Sequence, residues 1–245
     1  MSASFPLRTV ALALTLGLSA TAQADVITQW NFNSTTPDSS TGTGTTLPSI
    51  GAGTASLVGG VTSSFASGAS NGGSSDTAAA DNSGWQTTGY AAQGAGDKSR
   101  GVQFAVSTLG FESITLSYDL RHSNTSARHE LVQYSLDGLN FVDFTTFSGA
   151  AGDTWFKNRT VDLSGIAGVA DNASFAFRVV ATFAPGTSQY APSQSSSNYG
   201  GNGTWRFDMV TVSGAPVTPV PEPETYALLA AGLMIVWVVS RRRLG

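Results

Sequence analysis

From Gly101 onward, apolar side chains occupy every second position in one run after another, the period of a strand with one face in a core. Val102, Phe104 and Val106 alternate with Gln103 and Ala105. Ile114, Leu116, Tyr118 and Leu120 oppose Ser113, Thr115, Ser117, Asp119 and Arg121, the pattern of a half-buried antiparallel strand. Val132, Tyr134 and Leu136 are expected to point inward. Asp137 and Gly138 then turn that strand into residues 141–147, an Asp-Gly pair between alternating runs being a strong hairpin signal. A strand over 155–163 follows, then an apolar face of Phe175, Phe177, Val179, Ala181 and Phe183, then Trp205, Phe207 and Met209 on a last strand.

Upstream, residues 25–32 alternate with Val26, Thr28, Trp30 and Phe32 on one face and read as a first strand. Residues 33–100 change character. They are rich in Gly, Ser, Thr and Ala and offer little apolar surface to offset chain entropy, so loops and short strands outside the core are expected there. The region 101–214 is the main sandwich and 215–219 a linker. Seven or eight strands with no helical period in between predict an all-β fold, an antiparallel two-sheet β-sandwich of jelly-roll type. The run from Tyr134 through Asp137 and Gly138 to Phe141, and that from Trp205 through Asp208 to Val212, resemble the jelly-roll sandwiches of carbohydrate-binding and galactose-binding-like modules.

The two ends carry a different pattern. Arg8, the apolar run 10–18 and the small residues Ala22 and Ala24 read as a signal peptide over 1–24, cleaved by signal peptidase of the general secretion machinery so that the mature chain begins at Asp25. At the other end, Pro221, Glu222 and Pro223 precede a charge-free run over 226–239 and then Arg241, Arg242 and Arg243. The prolines keep their segment extended. As a transmembrane helix, 14 residues cover about 21 Å of a ~30 Å hydrocarbon core, a marginal span. The arginines belong on the cytoplasmic side. In this order of parts, residues 220–245 resemble the PEP-CTERM sorting domain of Gram-negative bacteria. The resemblance implies recognition by a membrane-embedded exosortase, transit through the inner membrane, removal of the tail, and delivery to the cell surface or an exopolysaccharide matrix, as in a biofilm. A plain C-terminal anchor is the alternative.

Composition narrows the partners. Without leader and tail, eight basic residues face fourteen acidic ones, a net charge of −6. No basic stripe gathers phosphates, which argues against nucleic acid. Cysteine is absent, so burial alone holds the core and no thiol nucleophile exists.

Candidate chemistry is sparse. His122 and His129 bracket a polar loop beside Asp119 and Glu130, a possible metal or acid–base site if the rings converge, or else a solvated loop mouth. No serine elbow, P-loop or dinucleotide fingerprint occurs in the mature chain, and no two carboxylates are paired by spacing for glycoside cleavage. A structural calcium ion would use Asn33, after the first strand, and Asp208, in the last; the alternative leaves Asp208 on a polar strand face beside Arg206. Trp85, Tyr90, Tyr190 and Tyr199, in polar loops, would form a glycan-stacking platform or pin the loops, whereas Trp30, Trp155 and Trp205 belong to the core. The leading expectation is a non-enzymatic surface or matrix protein with a structural or adhesive role. The alternatives are a carbohydrate-binding module of the exopolysaccharide matrix and a secreted hydrolase of matrix polymers.

Overall fold

The computed structural model describes residues 24–77, 80–217 and 223–242. The first hundred residues form β1 (Asp25–Trp30), β2 (Thr54–Val58), β3 (Thr62–Ser67) and β4 (Ser83–Thr88). Then come β5 (Gly101–Ala105), β6 (Phe111–His122), β7 (His129–Ser135), β8 (Val142–Ser148), β9 (Thr154–Asp162), β10 (Ala176–Thr182) and β11 (Trp205–Pro216), with α1 (Pro223–Arg242) beyond them. One sheet runs β3-β4-β11-β6-β9, with β1 also paired to β11, and the other runs β2-β5-β10-β7-β8. Every pairing is antiparallel. The all-β two-sheet sandwich expected from the alternation is the fold.

Alternation also set the inner faces. Ile114, Leu116, Tyr118 and Leu120 of β6 are all buried, as are Phe177 and Val179 of β10, and Trp30 and Trp205 are wholly enclosed. Phe104 of the second sheet takes Trp30 at 5.0 Å and Trp85 at 6.2 Å between ring centroids, so large rings interlock the layers.

Three expectations need correction here. The short strands expected in residues 33–100 are there, β2 extending one sheet and β3 and β4 the other, but the stretch does reach the core, which Val61, Trp85 and Tyr90 join. A strand that offers a single tryptophan, stacked at 5.5 Å on Phe32, buries enough area to compensate for its small neighbours. Met209 does not line the core. It adopts a left-handed φ of 47° at a bulge in β11, and the extra residue hands the inward positions to Val210 and Val212. Leu136 is exposed because β7 ends at Ser135 and the chain turns on Asp137, whose carboxylate accepts the N–H groups of Leu139 and Asn140.

At the bulge β11 changes partner along one edge: β4 pairs with residues 205–207 and β1 with residues 210–214. Beyond β11, α1 has Pro223 first, where its missing N–H costs nothing, and Arg241 and Arg242 in the last turn, where they oppose the helix dipole. Residues 226–239, expected as a transmembrane helix, lie within α1. Among the described residues no helix is long and apolar enough to cross a membrane. The leader expected over 1–24 falls outside the described residues except for Ala24.

Candidate functional site

The sorting residues divide between described and undescribed parts of the chain. Pro221, Glu222 and Arg243 lie outside the described residues, as does Ala22 at the expected leader boundary. Pro223 begins α1, and Arg241 lays its guanidinium over Trp237 at 4.2 Å. From Leu233 to Val239 every side chain is exposed. Asp25, the expected first residue after cleavage, opens β1 and pairs with Gly214 near the end of β11.

Of the four aromatics expected to stack on glycans, Trp85, Tyr90 and Tyr190 are buried and Tyr199 is half-buried. Trp85 is 2% exposed, and Tyr90 is buried with its hydroxyl 2.6 Å from Thr87 Oγ1 and its ring against Trp205. Tyr190 and Tyr199 stack on each other at 4.6 Å, and their hydroxyls donate to the carbonyls of Gly96 and Ala91. They pin the loops around residues 91–96 and 184–199. Trp85, Tyr90 and Tyr190 are thereby closed to a sugar, while Tyr199 is half-buried. Trp155 is buried too, but on the outer face of its sheet, where its indole N–H donates to the Ser70 carbonyl under a covering loop.

That loop, described at residues 68–77 and 80–82, hides a cluster of acidic and amide groups. Asp119 of β6 and Asp208 of β11 are direct cross-strand partners on the outer face, and both are essentially fully buried. Asp119 accepts the N–H of Asn158 at 2.7 Å and that of Ser75 in the loop. One Asp208 oxygen accepts the N–H of Met209 at 2.7 Å, while Oδ2 has no hydrogen-bond partner. Burial pushes the Asp208 carboxyl up to about 8; Asp76 and Asp119 raise it further, against Ser74 and the Met209 N–H, which lower it. Asn82, also buried, gives its amide N–H groups to Ser74 Oγ and the Asp76 carbonyl and leaves Oδ1 without a partner.

Asn33 has a different task. Its Nδ2 donates to Asp76 Oδ2 at 2.7 Å and its Oδ1 accepts the N–H of Ser83 at 2.8 Å, so it braces the loop from the side. Sequence reasoning passed over Asp76 and Asn82. The available signal was that Asp76 and Asp81 are the only charged residues between Asp38 and Asp97, an isolated acidic pair in a neutral stretch.

His122 and His129 do not form a metal pocket. His122 is fully enclosed, with Nδ1 2.9 Å from the Ala127 carbonyl oxygen and Nε2 2.9 Å from Glu130 Oε2. Glu130, buried on the inner face of the opposite sheet, also meets Arg159 Nε at 3.0 Å. These are ion-pair contacts without hydrogen-bond alignment. The cluster joins β6 and β9 to β7 across the core, which neither a metal centre nor a solvated loop mouth describes. Among the described residues, no three His, Cys, Asp or Glu side chains form a group able to hold a metal by themselves.

One open groove of about 500 Å³ lies on the outer face of the second sheet, lined among others by Lys98, Leu131, Asp143, Phe144 and Phe183. Lys98 and Asp143 pair at 2.5 Å on its rim, and Phe144 is 38% exposed. It offers an apolar ring and a charged pair to solvent.

Comparison with known proteins locates one family segment. Residues 219–243 match the PEP-CTERM protein-sorting motif. No curated protein matches the chain. Among solved structures, the body is similar to the CBM22-1 xylan-binding domain of Paenibacillus barcinonensis Xyn10C, at 12% identity and a TM-score of 0.47 over 81% of this chain and 100% of that one. It is also similar to the K1 cleaved adhesin domain of Lys-gingipain from Porphyromonas gingivalis W83, at 12% identity and a TM-score of 0.39 over 79% of this chain and 98% of that one.

Proposed function

We propose that this chain is an exported β-sandwich protein of the cell surface or extracellular matrix, with a structural or adhesive role, delivered by an exosortase that removes its tail. The observation that carries this reading is the sorting motif at 219–243, which begins within three residues of the end of β11. The body is complete in both sheets before the motif starts, so cutting at Pro221, Glu222 and Pro223 would cost the sandwich no strand. The leader 1–24 starts export. The apolar run 226–239 holds the chain at the inner membrane while the exosortase acts, with Arg241, Arg242 and Arg243 on the cytoplasmic side. A run this short needs a thinned bilayer or flanks drawn in, which suits a temporary hold.

The test is fractionation with intact-mass analysis in a host with and without its exosortase. The expected product is a tail-less chain in the surface or medium fraction only when the enzyme is present. Unchanged processing after Pro221, Glu222 and Pro223 are all replaced by alanine would end the reading.

The open groove favours a second reading, binding of a matrix glycan. Phe144 and Phe183 supply apolar faces for a sugar ring, and the Lys98–Asp143 pair supplies a donor and an acceptor for hydroxyls. A glycan array probed with the wild type and with Phe144→Ala checks it: a signal lost in the variant supports the groove, and a blank array for the wild type removes the reading.

A further inference from the structure

We infer that β8 is a docking edge for a second copy of this chain, the two β8 strands pairing antiparallel about a two-fold axis at Thr145 so that the two five-stranded sheets run on as one. The starting point is an unpaired edge. β8 ends its sheet, and apart from the Ser148 carbonyl, which accepts from Arg159 Nη2 at 2.8 Å, its outward backbone groups meet no partner among the described residues. Such a row is a template for another strand, and proteins ordinarily blunt it with charge, proline or a covering loop. β9, at the edge of the larger sheet, is guarded by Lys157, Arg159 and Asp162. β8 has no proline and one charge, Asp143, which Lys98 neutralises at 2.5 Å.

The same edge is flanked by apolar surface that the fold leaves uncovered. Leu136, Leu139, Val142 and Phe144 are all exposed within nine residues, Leu139 to 80%. The other edges show nothing comparable: β2 exposes only Leu57 among its large apolar side chains, and β3 none. Phe144 faces solvent for a geometric reason. The pairing of β7 with β8 shifts between Val132 and Gln133, which leaves Phe144 as the extra residue of a bulge with no opposite number. Apolar side chains clustered in this way beside an unpaired strand mark a protein–protein contact.

The charge pattern selects a second copy as the occupant, and selects it antiparallel. Acid stands at the start of β8, in Asp137 of the preceding turn and in Asp143. Base stands at its end, in Arg128, whose carbonyl accepts the Gly149 N–H at 2.8 Å, and in Arg159 on the Ser148 carbonyl. An antiparallel mate brings the acidic end of each copy against the basic end of the other, whereas a parallel one would superpose like ends. Thr145 is the midpoint of Val142–Ser148, so an axis there pairs the whole strand. It sets Thr145 against Thr145 and Phe144 against Thr146, and it keeps the two Asp143 carboxyls about 14 Å apart along the strand. Leu139 then reaches past Ser148 of the second copy toward Ala150 and Ala151, both exposed.

One strand and a few apolar side chains make a small interface, so the association is reversible and not permanent. Copies held on one surface meet it at high effective concentration. The inference names a partner for the structural or adhesive role proposed above. It rests on β8 alone, and it stands whether or not the tail is processed or a glycan enters the groove.

The test is sedimentation of the full chain in density-matched detergent, with site-directed cross-linking to separate β8 from α1 as the contact. The wild type is expected to pass from monomer to dimer over about 1–100 µM. Thr146→Lys, an exposed substitution that arms the edge, is expected to raise the dissociation constant at least about tenfold while shifting the thermal midpoint by less than about 4 °C. Because the chain has no cysteine, single cysteines report the contact directly. Thr145→Cys, on the axis, is expected to give a covalent dimer when oxidised with copper phenanthroline, since opposite Cα atoms at about 4.5–5.5 Å are within reach of a disulfide. Ser56→Cys on β2 and Thr160→Cys on β9 are expected to stay monomeric under the same treatment. A wild type that is monomeric throughout the range, a dimer that Thr146→Lys does not weaken, or a Thr145→Cys yield no higher than that of Ser56→Cys each overturns the proposal. Should Thr146→Lys fail to fold, the three cysteine variants decide it alone.

Discussion

The carboxyls of Asp119 and Asp208 face each other across β6 and β11 with almost no exposure, and only Asp119 has both oxygens bonded. The two are therefore unequal in what their loss would do. Asp119→Ala leaves the N–H groups of Ser75 and Asn158 without acceptors, and should cost about 2–4 kcal/mol in urea unfolding. Asp208→Ala strips one backbone N–H and a carboxyl that burial already pushes up to about 8, so its cost should be clearly smaller. Equal losses would contradict the asymmetry.

Trp85 and Phe144 exchange the roles that a reading of exposed loop aromatics assigns. Trp85→Ala opens a cavity between Phe32 and Phe104 and should destabilise by about 3–5 kcal/mol. Phe144→Ala, at an exposed groove wall, should change stability by less than about 1 kcal/mol. Chemical denaturation of both variants separates them.

Glu130 is the shared partner of His122 and Arg159 inside the sandwich. Glu130→Ala leaves a buried cation uncompensated and should cost about 3–5 kcal/mol. A double-mutant cycle with Arg159→Met should recover part of that loss, because removing both partners removes the stranded charge. Additive losses would mean the groups do not interact.

His129, at the start of β7, is held below its ordinary pKa of 6.5 by burial first and by Arg128 next, with Glu130 opposing. The unfolded chain therefore takes up this proton at a higher pH than the folded one. Stability should fall as pH drops through about 6.5, until the folded group also protonates. His129→Gln should flatten that part of the curve. Urea midpoints between pH 7.5 and 5 read it, and identical slopes for wild type and variant would remove His129 as the cause.

The strands between 101 and 182 were legible because one apolar residue in two is a direct consequence of a sheet with one dry face. The pattern failed where geometry broke the period. At Met209 one inserted residue reverses the parity of β11, which no count of alternate positions reveals. It failed again in residues 33–100, where small residues conceal strands that earn their place through a single ring such as Trp85. Asp208 was legible as a chemically interesting residue, but not its companions. Asn82 and Asp76 reach it from a loop more than a hundred residues earlier, and long-range convergence of that kind leaves no local spacing to read. The tail was the opposite case, since all its parts are contiguous and each answers a local demand.

The pairing of β1 with β11 joins the two ends of the sandwich in one sheet. Gln29 Nε2 donates to Thr211 Oγ1 across 182 residues, and β11 is the middle strand of its sheet. The larger sheet cannot close until residues 205–216 are in place, and closure over such a separation is slow. The strand that finishes folding is thus the last stretch before the sorting motif. The strand at the centre of the larger sheet and the sorting motif are therefore neighbours in the chain, and removing the motif leaves every strand in place.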